Sequence, residues 1–403
     1  MNKDYAKHFL MKAEDVMACT IDLVHYFEPG ARLSCREIGD GNINYVFVVT
    51  DEDTGRSIVV KQADKFVRSS GRPLNLNHNK IEADVLSIEG ACAPSMVPKI
   101  YYYDEVMCAL YMEDISAYKN LRKEMVQGKI FPKLAEDIST FMADTLLPST
   151  DLVLDRATKK ERVKKFTNAE LCDITEDLVL TEPYYDYKKR NIITAGNEEF
   201  VEKHLYQNED LKSEVGILRD EFMNHAQALV HGDLHSGSIF VNEEGLKVID
   251  PEFAYYGPIG YDIGNVIGNM FFAWAHKAYV HPENTEFIHW AKTAITEIVA
   301  LTKAKLEKKF DEIVSFPLYN AKFKEHYLAN IWSDSFGYAG TEMIRRVVGD
   351  AKVQELNDVT DPVLKIPMER ALIATGIQLI MRRAALATGS ELVEIFEDVM
   401  EAY

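Results

Sequence analysis

Disulfide frameworks, membrane spans and basic surfaces are all missing from this chain, and each absence removes a class of function. Its five cysteines (Cys19, Cys35, Cys92, Cys108 and Cys172) are odd in number and scattered, with no C-x-x-C pair. That argues against a disulfide scaffold or a zinc knuckle and fits a reducing, cytoplasmic setting. The most apolar stretch, residues 263–275, is interrupted by Asn265 and Asn269. It falls short of the roughly 20 residues a membrane span requires and is expected as a buried core helix. Residues Asn2 to Glu14 alternate charged and apolar, which leaves no signal-peptide hydrophobic segment. Basic residues are in deficit: 45 Lys and Arg against 64 Asp and Glu give a formal net charge of -19. So acidic a surface repels nucleic-acid backbones and anionic membranes, and neither is expected as a partner. A site for ATP, itself an anion, must then gather positive charge locally. Heptads, internal repeats and low-complexity tracts are lacking too.

What is present suits two lobes around a cleft. A chain of 403 residues is too long for one small core. Residues 5–27 have helical apolar spacing. From Arg32 to Val60 the pattern turns strand-like, with Tyr45-Val46-Phe47-Val48-Val49 and Ile58-Val59-Val60 joined by a polar hairpin turn at 51–55. Residues 64–79 read as a loop, 80–90 as a helix, and 99–103 and 107–112 as strands. Beyond Ser116 the chain is helical, apart from strand-like pieces at 238–250. The basic run 159–165 reads as a solvated helix face. The expected fold class is α+β: a small β-rich N-terminal lobe over residues 1–114 and a larger, mainly helical C-terminal lobe over 115–403.

The chemistry concentrates in a few short motifs. Gly39-Asp40-Gly41-Asn42-Ile43-Asn44 lies between strands and carries the first two glycines of a G-x-G-x-x-G loop. It is either a hairpin turn or a phosphate cradle in which the Asn44 amide donates. Lys61 ends a strand and Glu82 sits on the following helix, a spacing similar to the phosphate-binding lysine and its glutamate partner in protein kinases. Met112-Glu113-Asp114-Ile115-Ser116-Ala117 closes the last strand of the small lobe. In a kinase-like cleft this segment would be the hinge whose backbone groups bond adenine; it also reads as a capping turn, with Asp114 or Ser116 starting the next helix. His231-Gly232-Asp233 puts a carboxylate on a loop. Asp250-Pro251-Glu252 puts two more at a strand end, and Asp250 and Glu252 offer the hard oxygens that Mg²⁺ prefers. Phosphoryl transfer requires this division, one acid for the acceptor hydroxyl and others for the metal on the phosphates. His231 and His235 are expected to be structural, and Asp262 an N-cap and loop brace. Arg345 and Arg346 are neighbours on a helix, about 100° apart, so at most one is expected to face a given pocket squarely. The aromatic segment Tyr184–Tyr187 is expected in the core or a lid. Gly-Asp-x-His also occurs among binuclear phosphoesterases, but the D-x-H and G-N-H that should flank it are missing.

Taken together these motifs resemble the kinase-like fold of aminoglycoside and choline phosphotransferases, and within it the 5-methylthioribose kinases of methionine salvage. The resemblance spans nearly the whole chain. It includes residues 39–47, Lys61-Gln62-Ala63, Phe166-Thr167-Asn168, 170–176, 231–240, 250–254, 257–260 and the tandem Arg345-Arg346. It implies MgATP-dependent phosphorylation of the anomeric hydroxyl of 5-methylthioribose. Asp233 would be the catalytic base, and Asp233, Arg345 and Arg346 would bind the sugar. Asn44, Lys61, Glu82, Met112, Glu113, Ile115, Ser116, Ala117, Asp250, Pro251 and Glu252 would bind the nucleotide, and Asp250 and Glu252 the metal. The loop at 68–79 would cover the sugar, and a homodimer is implied. There are two departures: Ser238 stands where kinases usually place an Asn ligand for magnesium, and Arg72 precedes Pro73-Leu74 where relatives carry Trp. Two other functions are kept open, another small-molecule kinase (sugar, choline or aminoglycoside) and a catalytically inactive kinase fold that only binds.

Overall fold

Alternating β-branched and aromatic residues build the first part of the chain, as their spacing requires. The computed structural model describes residues 6–38, 44–66 and 75–403, so the Gly39–Ile43 stretch and Arg72 lie outside the described residues. Two compact units form: Met1–Tyr118 with Lys247–Ala254, and Lys119–Leu246 with Tyr255–Tyr403.

In the first unit, helix α1 (Ala13–Asp22) precedes β1 (Leu33–Ile38), β2 (Tyr45–Asp51) and β3 (Ser57–Gln62). Helix α2 (Asn77–Cys92), β4 (Ile100–Asp104) and β5 (Ala109–Glu113) follow. The five strands form one antiparallel sheet in the order β1-β2-β3-β5-β4. Side chains alternate across a strand. Phe47, Val49, Ile58, Val60, Ala109 and Tyr111 therefore share one buried core with Met11, Val16 and Cys19. Burying each of the larger apolar side chains contributes about 1.5–3 kcal/mol, an upper bound. The same alternation puts Lys61, one residue after Val60, on the opposite face. The β2–β3 turn falls where expected: Asp51 accepts from Thr54 Oγ1 at 2.6 Å, and Gly55 takes the left-handed φ of 73°.

Some boundaries differ from expectation for local reasons. The opening helix is only Ala13–Asp22, because Lys12 N–H bonds Asp15 Oδ2 at its start and His25 turns left-handed (φ 53°) beyond its end. Helix α2 begins three residues before Lys80, since Asn75 Oδ1 accepts the Asn77 N–H and starts the turn. Neither Asp114 nor Ser116 caps the next helix. Asp114 accepts from Ser57 Oγ at 2.6 Å and from the Ser116 N–H, and Asn120 caps in their place.

The second unit contains β6 (Lys119–Asn120), α3 (Leu121–Val126), α4 (Leu134–Leu146), α5 (Arg156–Lys165), α6 (Ala169–Leu178), α7 (Glu198–Val201) and α8 (Glu209–Asn224). Strands β7 (Ala228–Val230), β8 (Ile239–Val241), β9 (Leu246–Val248, crossing into the first unit) and β10 (Tyr255–Gly257) follow. Helices α9 (Ile259–Val280), α10 (Thr285–Ile313), α11 (Ala321–Val348), α12 (Gln354–Asn357), α13 (Pro362–Arg382) and α14 (Gly389–Ala402) complete the chain. Helix α9 contains the apolar stretch and is buried from Ile259 to Lys277. Among the described residues no helix is long and apolar enough to cross a membrane. Along α9, Gly264 lies so close to α11 that an added Cβ would sit 2.6 Å from Ser335 O and 2.7 Å from Ala339 N. That close approach sets the relation between the two helices on which the site of this unit is built. The basic run is not wholly solvated: Lys159 on α5 is buried, bonded to Asp151, Ala226 O and Gln227 O.

Candidate active site

Each unit brings together a cluster of charged side chains that includes candidate site residues. In the first, the β3 register pairs Lys61 with Val46 and Leu110 and leaves its side chain buried. Its Nζ lies 2.7 Å from Glu82 Oε2 on α2 and also bonds the Asp250 carboxylate. Asp250 reaches it because the residue adopts a left-handed backbone (φ 73°) at the end of β9, a conformation costly for most residues but tolerated by Asp. Pro251 then opens a short 3-10 turn, Pro251–Phe253, and Glu252 is buried within it. Asn44 Nδ2 donates to Glu252 Oε2 at 3.2 Å, while His78 Nε2 lies 3.0 Å from Asn44 Oδ1. The Asn44 amide expected on a phosphate is thus engaged with Glu252 and His78.

Ligand oxygens of Glu82, Asp250 and Glu252 all lie within 4.8 Å of one another. Among the described residues three carboxylates stand beside one ammonium, and such a set of hard oxygens fits a divalent cation such as Mg²⁺. Burial pulls the Lys61 ammonium down, but Asp250, Glu82 and Glu252 outweigh it and hold the group above its ordinary range. Burial pushes the Glu82 carboxyl up, against the pull of Lys61. Met112 and Glu113 end β5, and residues 115–117 follow in a turn closed by Tyr118 N–H on Ile115 O. The Glu113 carboxylate accepts from Lys247 Nζ and from Lys99 N–H, each at 3.0 Å.

In the second unit, β7 pairs with β10 and delivers the chain to His231. Gly232 there takes φ 80°, a conformation that favours glycine. Asp262 accepts the His231 N–H at 2.7 Å and the Gly232 N–H at 3.0 Å. It is therefore the expected brace, but it is not the N-cap: α9 starts at Ile259 behind Pro258, which puts Asp262 in the first turn. The braced loop presents Asp233. Its Oδ2 lies 3.2 Å from His235 Nε2, and its Oδ1 lies 3.5 Å from Arg345 and 3.6 Å from Arg346. His235 Nδ1 accepts the N–H groups of Gly237 and Ser238, so the ring proton sits on Nε2, facing Asp233. His235, expected as structural, is thus the nearest partner of that carboxylate.

The arginine pair departs from expectation. Both side chains are buried, and both approach Asp233. Glu342 bonds both Nε atoms and makes this possible. Burial pushes the Asp233 carboxyl up, but His235, Arg346 and Arg345 outweigh it and hold it far below the usual carboxylate range. Burial moves the His235 imidazole down, against Asp233. Ser238 Oγ donates to Asp233 O at 3.1 Å and so serves the loop. Arg122, Asn269, Glu342 and Glu355 also gather around this cluster, although no sequence motif marks them as site residues. Arg122 bonds Asn269 Oδ1 at 2.7 Å and lies 3.7 Å from Glu355. Local signals exist for Glu342, spaced three and four residues from the arginines, and for Asn269, a polar residue within an apolar helix.

Comparison with known proteins gives a consistent picture. Residues 34–295 match the model of the phosphotransferase enzyme family. The chain is similar to a methylthioribose kinase of Bacillus pumilus, with 34% identity over 92% of each chain. To that of a Geobacillus species it is 35% identical over 93% of each, and to that of Bacillus velezensis 36% over 92% of each. Among solved structures, a choline kinase from Cryptosporidium parvum aligns over 96% of this chain and 97% of its own, at 12% identity and a TM-score of 0.46.

Proposed function

Because the chain belongs to the methylthioribose kinase family, within the wider phosphotransferase enzyme family, we propose that it uses ATP to phosphorylate the anomeric hydroxyl of 5-methylthioribose. The product is the 1-phosphate, an intermediate of methionine salvage. Residues 1–114 act as the nucleotide lobe and 115–403 as the catalytic and acceptor lobe. Lys61, oriented by Glu82, neutralises the α- and β-phosphates. Backbone groups of Met112, Glu113, Ile115, Ser116 and Ala117 bond the adenine. Asp250 and Glu252, on either side of Pro251, hold Mg²⁺, with Asn44 steadying Glu252. Bound there, Mg²⁺ supplies charge neutralisation for the phosphate oxygens. Asp233 accepts a hydrogen bond from the anomeric hydroxyl and aligns it. Its low proton affinity suits a loose transition state, in which the hydroxyl proton leaves late. Arg345 and Arg346 donate to sugar hydroxyls and offset developing negative charge. A cytoplasmic homodimer completes the proposal, and sedimentation as a dimer of this chain is the expected result.

One observation supports a neutral sugar over the other acceptors of this fold: two guanidiniums stand at the Asp233 carboxylate. Choline and aminoglycosides are cations, and such a pair repels them. Purified protein with MgATP is expected to turn over 5-methylthioribose faster than ribose, choline or an aminoglycoside. Preferred turnover of either cation defeats this assignment, and saturable ATP binding without any product would mark the chain as a binding protein.

A further inference from the structure

Adjacent helix residues diverge by about 100°, yet Arg345 and Arg346 both reach Asp233 Oδ1, at 3.5 and 3.6 Å. Glu342 precedes them by three and four positions, so it shares a helix face with each. Its Oε2 takes Arg345 Nε, and its Oε1 takes Arg346 Nε at 2.9 Å. A guanidinium is a rigid planar fork. With each Nε held by Glu342, the plane of each guanidinium is fixed, and in both arginines Nη2 is the atom nearest Asp233. Glu342 is itself immobilised: it is 1% exposed, and Asn269 Nδ2 donates to its Oε1 at 3.1 Å. Asn269 Oδ1 accepts from Ser236 Oγ at 3.1 Å, three residues beyond Asp233. One amide thus ties the carboxylate that holds both arginines to the loop that carries the aspartate.

We propose that Glu342 is the positioning residue of the acceptor site, fixing the spacing and direction of a two-arginine fork that orients the sugar hydroxyls against Asp233. This inference rests on the reading of Asp233, Arg345 and Arg346 as the acceptor site. A residue that only balances charge would act through its charge alone, whereas a positioning residue depends on where its oxygens lie. Glu342→Asp keeps the charge but withdraws the carboxylate by one carbon–carbon bond, ~1.5 Å, too far to meet both Nε atoms. It is expected to lower kcat/KM for 5-methylthioribose by roughly 10²-fold, as misplacement by about an ångström does. The loss should match that of Glu342→Gln and fall mainly on kcat, with MgATP affinity unchanged.

A double-mutant cycle gives the second readout. Arg345→Lys should cost about tenfold in the native background and under about threefold beside Glu342→Asp, because residues acting as a unit are not additive. Native kcat/KM in Glu342→Asp, or equal Arg345→Lys costs in both backgrounds, overturns the proposal. Should Glu342→Asp fail to fold, Asn269→Ala takes its place. It leaves all three charges and removes the amide that fixes Glu342, and the same roughly 10²-fold loss is expected. If Arg345→Lys and Arg346→Lys leave turnover unchanged, the acceptor-site reading falls and this inference with it. If they impair turnover while Glu342→Asp does not, only the positioning role falls.

Discussion

The two charged clusters differ in the balance and kind of their cations. Around Lys61, among the described residues, one ammonium faces three carboxylates, those of Glu82, Asp250 and Glu252. Around Asp233, the guanidiniums of Arg122, Arg345 and Arg346 match the three acids Asp233, Glu342 and Glu355. Among the described residues the first cluster gathers carboxylate oxygens around one point cation, a donor set suited to a divalent metal ion. The second is balanced and rich in directional N–H donors, so it is built to receive hydroxyls and developing negative charge. A shared acidic composition therefore yields two sites of opposite appetite.

The largest expected effect lies in the second cluster. Asp233→Ala should reduce turnover by about 10²–10⁴-fold, the range for a lost acid–base group, while titration calorimetry shows MgATP affinity intact. Equal loss of both would erase the distinction between the clusters. Lys61→Ala tests the first. It leaves the buried Glu82 without its ammonium, and breaking such a pair costs on the order of 3–5 kcal/mol. Denaturant unfolding should report that loss, and the KM for ATP should rise. A smaller effect concerns the cation itself. Mg²⁺ at about ten times its Kd, without nucleotide, should stabilise the protein by ~1.4 kcal/mol, and Glu252→Gln should abolish the rise in melting temperature. An equal rise in that variant would remove Glu252 from the metal site.

The smallest effect is a pH dependence. His235 has a depressed affinity for protons because it is buried. A group of that kind contributes stability above its unfolded value of about 6.5, and loses it as pH falls through its lower folded value. Protonating Nδ1 would also break its bonds from Gly237 and Ser238. Asp233 is depressed as well, far below the usual carboxylate range, and stays ionised over the same interval. At saturating MgATP, protonation of His235 should lower kcat/KM for 5-methylthioribose below pH ~6.5, and His235→Asn should remove that loss. A loss unaltered in that variant would assign it elsewhere.

How much of this was legible before folding depends on the range of each interaction. The strand alternation that buries Val60 and turns Lys61 to the other face was readable, as were the turn at 51–55 and the buried helix around 263–275. Each is set by residues within a few positions of one another. The motif residues Asp233, Asp250 and Glu252 were readable as chemistry but not as geometry. The left-handed turn of Asp250 and the partnership of His235 with Asp233 depend on surroundings that no short pattern encodes. Arg122 and Glu355 went unremarked because their partners lie far along the chain, and the loop at 68–79 gave no sign that Asn75 would start a helix.

The amino-acid order by itself determined the local periods, the turn residues and the inventory of acids and cations, because these follow from covalent neighbours and backbone sterics. Only tertiary structure decided that two diverging arginines converge on one aspartate. That outcome needs α9 and α11 in close approach at Gly264, with Asn269 meeting Glu342. Contact between segments some 73 positions apart is a property of packed helices and not of any stretch of sequence.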